Sequence, residues 1–265
     1  MMEFDPIAAN YDQEFSYSLI GTFLRSSVHK YLEKQFSSRK PAAALELGCG
    51  TGEDDIWMAK KGWNITVTDV SGEMIRVAKK KASTSQVIGT LKFETLDMHH
   101  MDDFKFEKKF DLIFSNFGAV NCLHPDDLRN LVVNIRELLN PRGRVILVIM
   151  PSFCLWESFY FLLKGRWSQV FRRSTKQGIM ANLGASQIMT WYYSPKSIKK
   201  YSRDHYNVKK IMPVGIAIPP SYLEHFFGNK QGLLRILAKF EGFLSKFSCL
   251  AGISDHYLIE LERKS

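Results

Sequence analysis

Three glycines at alternate positions interrupt an apolar run and constrain the fold of this chain more than any other feature. The run is Leu45-Glu46-Leu47-Gly48-Cys49-Gly50-Thr51-Gly52, and a helix-like segment follows it. Glycine tolerates left-handed backbone angles and lets the backbone approach a ligand closely. The pattern therefore predicts a first strand that ends in a ligand-binding turn before a helix.

The residues around this turn narrow the class of ligand. A dinucleotide fingerprint needs a third glycine where Glu53 stands, and a phosphate loop with Gly-Lys-Ser/Thr is absent. Glu53, Asp54 and Asp55 bring three carboxylates to the first helical turn, where they suit the helix dipole but repel a pyrophosphate. A cationic or zwitterionic cofactor fits this turn better than a polyphosphate.

Strand-like and helical segments alternate through the next hundred residues. The pattern predicts strands over 63–69, 93–98, 110–116 and 144–150, a helix over 126–139 and a turn at 141–143. Such alternation is typical of a doubly wound parallel sheet. Asp69 ends the second strand 21 residues after Gly48, the spacing of a carboxylate that binds ribose hydroxyls.

These segments also carry a family resemblance. The chain resembles the class I S-adenosylmethionine-dependent methyltransferases, especially the type 11 domain group that includes the ubiquinone and menaquinone C-methyltransferases. The matching phrases are Glu46-Leu47-Gly48-Cys49-Gly50-Thr51-Gly52, Thr68-Asp69-Val70-Ser71-Gly72-Glu73-Met74, Leu96-Asp97-Met98, Phe110-Asp111-Leu112-Ile113 and Pro141-Arg142-Gly143-Arg144. The resemblance covers roughly residues 40 to 150. It implies an α/β, Rossmann-like, mostly parallel seven-stranded sheet and S-adenosyl-L-methionine as the cofactor.

The resemblance further implies which residues hold this cofactor. They are Glu46, Gly48, Gly50 and Gly52 at its methionine end, Asp69 at the ribose, Val70 and Met74 flanking the adenine, Asp97 and Met98 at the adenine amine, Asn116 and Phe117 facing the sulfonium, and Tyr11 and Arg25 in a lead-in that folds over it. Met74 is interpreted equally well as a core residue.

Charge divides the chain into two parts. Residues 1–150 carry 19 Lys and Arg against 20 Asp and Glu, a net charge of −1, whereas residues 151–250 carry 15 against 4, a net charge of +11. We predict a cofactor-binding core with its lead-in over 1–150 and an aromatic, basic cap over 151–194. The end of the sheet follows over 195–265, with a helical insertion at about 219–250. The segregated positive charge indicates an acidic partner.

Two apolar stripes at helical spacing lie in the basic part. The first is predicted to line a substrate pocket, with core packing as the alternative, and includes Phe153, Trp156, Tyr160 and Trp167. A second helix over about 232–247 is predicted to turn its apolar side chains inward, namely Leu233, Ile236/Leu237, Phe240, Phe243/Leu244 and Phe247. A further interpretation is that these basic amphipathic helices contact an anionic membrane or an acidic carrier protein.

The remaining composition indicates a cytoplasmic enzyme. The N-terminal residues lack the features of a signal peptide, and no apolar run approaches the ~20 residues that span a bilayer. The four cysteines, at positions 49, 122, 154 and 249, form no C-x-x-C pair, so neither a zinc site nor a disulfide framework is predicted. No metal is expected.

The predicted reaction is methyl transfer to a small hydrophobic or aromatic acceptor, at oxygen first and carbon next. His124 or Tyr192 is the predicted base, from a wider set that includes His99, His100 and His205. Ser115-Asn116-Phe117-Gly118 replaces the Asn/Asp-Pro-Pro-Tyr signature of methylation at planar nitrogens, which argues against a nucleic-acid acceptor. An RNA or protein methyltransferase that uses the basic 151–250 surface, and a non-catalytic cofactor-binding scaffold, stay open as alternatives.

Overall fold

A seven-stranded sheet organises the chain, in the order β3-β2-β1-β4-β5-β9-β8. The computed structural model describes residues 3–37, 43–184 and 186–264, without the side chains of Asp102 and Asp103. The strands are β1 (Ala44–Leu47), β2 (Ile65–Asp69), β3 (Leu91–Thr95), β4 (Phe110–Ser115), β5 (Leu139–Ile149), β6 (Ile179–Leu183), β7 (Ser186–Thr190), β8 (Tyr206–Val214) and β9 (His256–Arg263). Strands β6 and β7 form a separate hairpin.

Most of the sheet is parallel. Strands β1 to β5 run in one direction, and β9 lies antiparallel between β5 and β8. Strands β1 and β2 are buried along their whole lengths, as strands must be when helices cover both faces. The predicted doubly wound, mostly parallel seven-stranded sheet is confirmed.

Helices pack on both faces of this sheet. They are α1 (Leu19–Phe36), α2 (Glu53–Lys60), α3 (Gly72–Ser83), α4 (Pro125–Asn134), α5 (Leu155–Leu163), α6 (Pro195–Ser202), α7 (Glu224–Phe227) and α8 (Gln231–Leu244). Leu24 of α1 and Met58 of α2 belong to the apolar core on one face, and Leu131 of α4 and Ile198 of α6 belong to the core on the other. In the described ranges, no helix combines the length and the apolar character needed to cross a membrane.

The predicted helix at 126–139 and the strand after it differ in detail from the structure. Helix α4 ends at Asn134, a 3-10 helix covers Ile135–Leu138, and β5 begins at Leu139. The predicted turn at 141–143 lies inside β5, where Arg142 has a φ of 62° and the pairing with β4 shifts register. Because Leu139 already pairs with β4, the turn residues form an irregularity within the strand instead of ending it.

The cap after β5 contains α5, a 3-10 helix at Trp167–Gln169 and the β6–β7 hairpin. Helix α5 ends two residues before Gly165, which has a φ of 67°. Strands β6 and β7 pair antiparallel, from Ile179 with Thr190 to Leu183 with Ser186.

The second insertion, between β8 and β9, contains α7 and α8. The predicted inward direction of the apolar stripe on α8 is wrong for most of its members, because the helix buries Leu234 and Glu241 instead. Leu237 does pack against the core, as predicted, and is partly buried. The stripe points outward, with exposed fractions of 41% at Leu233, 53% at Ile236, 56% at Phe240, 57% at Phe243 and 45% at Phe247. The carboxylate of Glu241 accepts hydrogen bonds from the N–H groups of Gly215 (2.7 Å), Ala217 (2.7 Å) and Ile218 (3.2 Å). These bonds fix the rotation of α8 about its own axis.

Candidate active site

The glycine turn after β1 has a backbone that other residues adopt only with strain. Gly48, Gly50 and Gly52 have φ angles of +73°, +54° and +79°, all in the left-handed region. A Cβ atom at Gly48 would lie 2.5 Å from the Cβ of Ala119, and one at Gly52 would lie 2.9 Å from the Cβ of Ala78. Both ends of the turn are therefore tightly packed against the loop after β4 and against α3.

The N-terminal lead-in covers the middle of this turn, as predicted. The Tyr11 ring lies over Gly50, with its Cε1 atom 3.7 Å from the place that a Cβ would take. Asp12 accepts a hydrogen bond from the Thr51 hydroxyl at 2.5 Å and pairs with the Lys81 ammonium at 2.8 Å. Burial raises the pKa of Tyr11 to about 12, so the ring stays neutral at physiological pH.

Asp69 lies at the end of β2 and faces the glycine turn. Its two carboxylate oxygens accept hydrogen bonds from the N–H groups of Gly50 (2.8 Å) and Ser71 (2.9 Å). Burial raises the pKa of Asp69 to about 6, although these N–H groups oppose the shift. Each carboxylate oxygen has a second lone pair, so Asp69 still has acceptor positions for the two hydroxyls of a ribose.

Glu46 and Asp55 form a pair of buried carboxyl groups beside the turn. Oε2 of Glu46 and both carboxyl oxygens of Asp55 are buried and accept no hydrogen bond from an N–H or O–H donor in the described chain. Burial and the nearby Asp55 raise the pKa of Glu46, and burial raises the pKa of Asp55 to about 7. Such acceptors fit an ammonium group, which the methionine end of S-adenosylmethionine carries.

Asp54, in contrast, is already paired. It accepts hydrogen bonds from the guanidinium of Arg25, from Nε2 of His29 at 2.6 Å and from the amide of Asn116 at 2.9 Å. Burial alone would raise the pKa of Asp54, but Arg25 and His29 lower it well below its usual value. The structure therefore uses Arg25 and Asn116, both predicted at the cofactor, to fix this carboxylate beneath the site.

Phe117 follows Asn116 at the carboxyl edge of β4 and has a φ of 41°, an unusual backbone angle for a residue other than glycine. The guanidinium carbon of Arg25 lies 5.1 Å from the centroid of its ring. The His256 ring meets the Phe117 ring edge-on, with 5.5 Å between centroids and an interplanar angle of 90°. The position predicted to face the sulfonium thus has a histidine beside it.

Most of the residues predicted to contact the adenine are only partly buried. Asp97 begins a 3-10 helix and accepts hydrogen bonds from the backbone N–H of His99 (2.9 Å) and from its ring nitrogen Nδ1 (2.7 Å). Met98 and Val70 are partly buried. Met74 is 1% exposed and packs with Ile7 of the lead-in, so it serves as core packing under the turn.

The two predicted bases, His124 and Tyr192, lie apart from the contacts described above. His124 caps α4, where its Nδ1 accepts the N–H of Asp126 at 3.4 Å, and its side chain is 53% exposed. Tyr192 lines an open cavity of about 480 Å³ together with Trp191 and Lys176. Burial raises the pKa of Tyr192, against the opposing effect of nearby arginines, and a phenol with a raised pKa is a poor base at neutral pH.

The sequence analysis missed a histidine that is better placed. Nδ1 of His256 lies 3.0 Å from Oδ2 of Asp255, and the His256 side chain is 12% exposed. The other carboxyl oxygen of Asp255 accepts from Arg173 at 2.9 Å, and Arg173 also pairs with Glu157 at 3.0 Å. Burial would raise the pKa of Asp255, but His256 and Arg173 hold it well below its usual value. Because the last strand β9 runs antiparallel, it begins at the carboxyl edge of the sheet, where the site lies. This direction was the signal from which the Asp255–His256 pair could have been predicted.

The predicted pocket residues are only partly brought together. Trp156 donates its indole N–H to the carbonyl of Ile216 at 3.1 Å, and the Tyr160 ring packs edge-on against Tyr222 at 5.7 Å. The Phe153 ring contacts Phe171 instead, at 6.0 Å. Trp167 is 70% exposed on its 3-10 helix, at the surface of the cap.

Known proteins share this fold and these motifs. A family model described as a methyltransferase domain matches residues 44–143. The chain is 28% identical over 165 residues to the non-reducing polyketide synthase prhL of Penicillium brasilianum. It is 33% identical over 116 residues to the putative methyltransferase YqeM of Bacillus subtilis strain 168. These matches take 57% and 43% of this chain but only 6% and 45% of the two relatives, so the chain spans less than half the length of either.

A solved structure matches over most of the chain. The magnesium protoporphyrin IX methyltransferase ChlM from Synechocystis PCC 6803, solved with bound SAH, superposes with a TM-score of 0.59. The match covers 95% of this chain and 86% of that one, at 14% sequence identity. The fold is that of the class I methyltransferases. The match over residues 44–143 identifies a methyltransferase domain within this chain, as the resemblance implies, and supports S-adenosylmethionine as the cofactor of that domain.

Proposed function

We propose that this chain methylates a small hydrophobic or aromatic acceptor at an oxygen atom, with an acidic carbon as the second choice. The observation that carries the proposal is the Asp255–His256 pair beside Phe117, at the edge of the sheet where the cofactor-binding turn lies. A histidine oriented by a carboxylate is a suitable general base. Oxygen acceptors need such a base because their proton must leave as the new bond forms.

The cofactor, when bound, supplies an activated methyl group. Asp69 is proposed to bind its ribose hydroxyls, and the Glu46 and Asp55 carboxyls its ammonium group. Asp54 does not bind it directly but keeps Arg25 and Asn116 in place beside Phe117. The predicted Phe117 contact orients the methyl-bearing end toward His256.

His256 is proposed to take the acceptor's proton on Nε2, because Asp255 holds Nδ1. The acceptor oxygen would bond to the methyl carbon as the bond from that carbon to the cofactor's sulfur breaks, which would leave a neutral thioether. The oxygen would lose its proton to the imidazole, which later releases it to solvent. Asp255 stabilises the imidazolium through its negative charge, as the low pKa of its carboxyl requires. His124 and Tyr192 stay alternative bases.

The apolar side chains of the cap support an apolar acceptor. Trp156 and Tyr160 of α5 are partly buried against the core, and the Tyr160 ring contacts that of Tyr222, which is 40% exposed at the start of the second insertion. An acceptor tethered to an acidic carrier protein is compatible with the basic cap. RNA and protein acceptors, and a scaffold without turnover, are the competing functions.

The test uses methyl-labelled cofactor with separated metabolite, lipid, RNA and protein pools. We expect label in the metabolite or lipid pool, and a loss of about 10²–10⁴-fold in rate for His256→Ala with cofactor affinity retained. Asp69→Ala should instead weaken cofactor binding, measured by calorimetry, whereas Asp204→Ala at an exposed site should change neither. Label confined to RNA or protein, or no label at all, would overturn the proposal. Full activity of the His256→Ala variant would show that His256 is not the base.

A further inference from the structure

Helix α8 presents an apolar stripe to the outside of the molecule. Leu233, Ile236, Phe240 and Phe243 recur at intervals of three and four, which places them on one side of a helix, and they are 41–57% exposed. Phe226, just before the helix, is 57% exposed, and the Lys230 ammonium lies 3.4 Å from the centroid of its ring. Large exposed apolar surfaces mark interaction sites.

The outward direction of this stripe is fixed by the fold. On the opposite side of α8, Leu234 is fully buried, and the carboxylate of Glu241 holds the backbone at 215–218. Turning the stripe inward would carry Glu241 away from these three N–H groups and leave the buried donors without their acceptor, which is costly. The exposed stripe is therefore a stable property of the native chain.

The charged side chains of the same insertion are separated by sign, and this separation indicates the kind of partner that could bind there. Four cations on and around α8 are exposed, namely Lys230, Arg235, Lys239 and Lys246. The two acids of the insertion are used inside the molecule: Glu241 as described, and Glu224 as the acceptor of the backbone N–H groups of Leu19 (2.8 Å) and Ile20 (2.9 Å). The outer surface of α8 thus combines large apolar side chains with positive charge alone.

Helix α5 adds a second exposed apolar stripe. Leu155, Phe159, Leu162 and Leu163 are 41–70% exposed. The inner side of α5 is joined to the segment before α8, because the Trp156 ring packs edge-on against Phe227 at 6.1 Å. Exposed apolar and basic helices therefore lie in both insertions of the sheet.

We propose that α8 docks on an anionic lipid bilayer. The apolar stripe would enter the boundary between headgroups and acyl chains, and the flanking cations would face the lipid phosphates. A second copy of the chain would bring like charges together. An acidic protein would pair with the cations, but a bilayer also accepts five large apolar side chains without a preformed groove. This proposal does not depend on the acceptor proposed above.

Flotation with lipid vesicles tests the proposal. We expect the full chain to float with vesicles of phosphatidylcholine and phosphatidylglycerol, and to bind pure phosphatidylcholine much more weakly. The variant Ile236→Ser/Phe240→Ser/Phe243→Ser should lose at least about tenfold in vesicle binding, because each substitution removes an apolar side chain that the bilayer would bury. Arg235→Gln/Lys239→Gln should lose about fivefold per cation on anionic vesicles only.

The matched control is Ile88→Ser/Val208→Ser, which removes exposed apolar side chains outside both insertions. It should bind vesicles like the unmodified chain, and circular dichroism and cofactor binding should show that every variant is folded. Unchanged vesicle binding by the α8 stripe variant would overturn the proposal. So would lipid-free dimerisation in sedimentation experiments that the same variant abolishes, because the stripe would then be a contact between copies.

Discussion

At the scale of single residues, the acids of the site fall into two groups according to their partners. Asp54 is surrounded by Arg25, His29 and Asn116, and its pKa is low. Asp55 and Asp69 are buried without a cation of their own, and their pKa values are raised to about 7 and about 6. Raised pKa values in a cleft often mark groups that are completed by a ligand, and this separates Asp55 and Asp69, which we propose to bind the cofactor, from the already paired Asp54.

The glycine turn supplies a prediction at this scale. Gly48→Ala should lower the free energy of unfolding by about 1–3 kcal/mol, because the new Cβ would lie 2.5 Å from that of Ala119 at a φ of +73°. Gly242→Ala is the matched control, since a Cβ there meets nothing within 4 Å. It should stabilise the helix by about 0.5–1 kcal/mol. Urea unfolding measures both, and equal effects would contradict the prediction.

Sequence alone located only part of the site, for a physical reason. Glu46, Asn116 and Phe117 were predicted through the family resemblance, and Asp69 also through its spacing from Gly48. Asp55 looked like an ordinary first-turn acid, since nothing local distinguishes it from Glu53. His256 gains its significance only when β9 inserts beside β5, which brings it next to a residue 139 positions earlier.

At the scale of elements, Arg173 joins the cap to the last strand. Its guanidinium bridges Glu157 of α5 and Asp255 before β9, and it is almost fully buried. Arg173→Met should lower the free energy of unfolding by about 3–5 kcal/mol, because two buried carboxylates lose a partner.

The same substitution should also raise the pKa of Asp255 and weaken its hold on His256. We therefore expect the rate of methyl transfer to fall, and its dependence on pH to shift, in preparations that remain folded. Arg166→Met, at an exposed position of the cap, is the control and should leave both unfolding and rate unchanged. A stable Arg173→Met variant with an unaltered pH profile would show that the bridge is dispensable.

Helix α8 shows why an element can be predicted correctly and oriented wrongly. Its limits agree with the apolar periodicity, but periodicity defines a stripe without saying which side meets the core. Glu241 decided the orientation, because its carboxylate is needed by three backbone N–H groups more than 20 residues earlier in the chain. That contact has no local signature.

At the scale of the whole molecule, the raised pKa values predict a pH-dependent stability. Asp55 and Asp69 have a usual pKa of 3.8 when unfolded and about 7 and about 6 when folded. The folded chain therefore binds more protons between about pH 4 and pH 7, so the free energy of unfolding falls as pH rises through this window. Without cofactor, we expect greater stability at pH 5 than at pH 8, by about 1.4 kcal/mol from Asp69.

Urea unfolding at pH 5, 6.5 and 8 checks this trend. Asp69→Asn should reduce the slope, whereas Asp204→Asn, with a side chain that is 74% exposed, should not. The lowered pKa values of Asp54 and Asp255 act in the opposite sense, but only in acid, where their stabilisation is lost as the pH falls. A slope that is the same in all three chains would contradict the assignment.

The arrangement of the parallel half of the molecule was predictable from the sequence, and the packing of the basic half was not. Strands that end in a glycine turn or an acid have a strong local pattern, and burial on both faces gives them nearly continuous apolar runs. The cap and the second insertion are held by contacts between distant residues, such as those of Arg173 and Glu241. Their helical periodicity was visible in the sequence, whereas their packing was not predictable from it.

The lead-in over the glycine turn has a consequence for the timing of repeated turnover. Tyr11 lies on Gly50, and Asp12 is bonded to Thr51 and Lys81, so we expect spent cofactor to leave only after this segment detaches. Each catalytic cycle would then include a conformational step, in which the N-terminal segment detaches and binds again. This step can limit the overall rate of turnover. Substitutions at Asp12 would change the pace of the enzyme without touching any reacting atom.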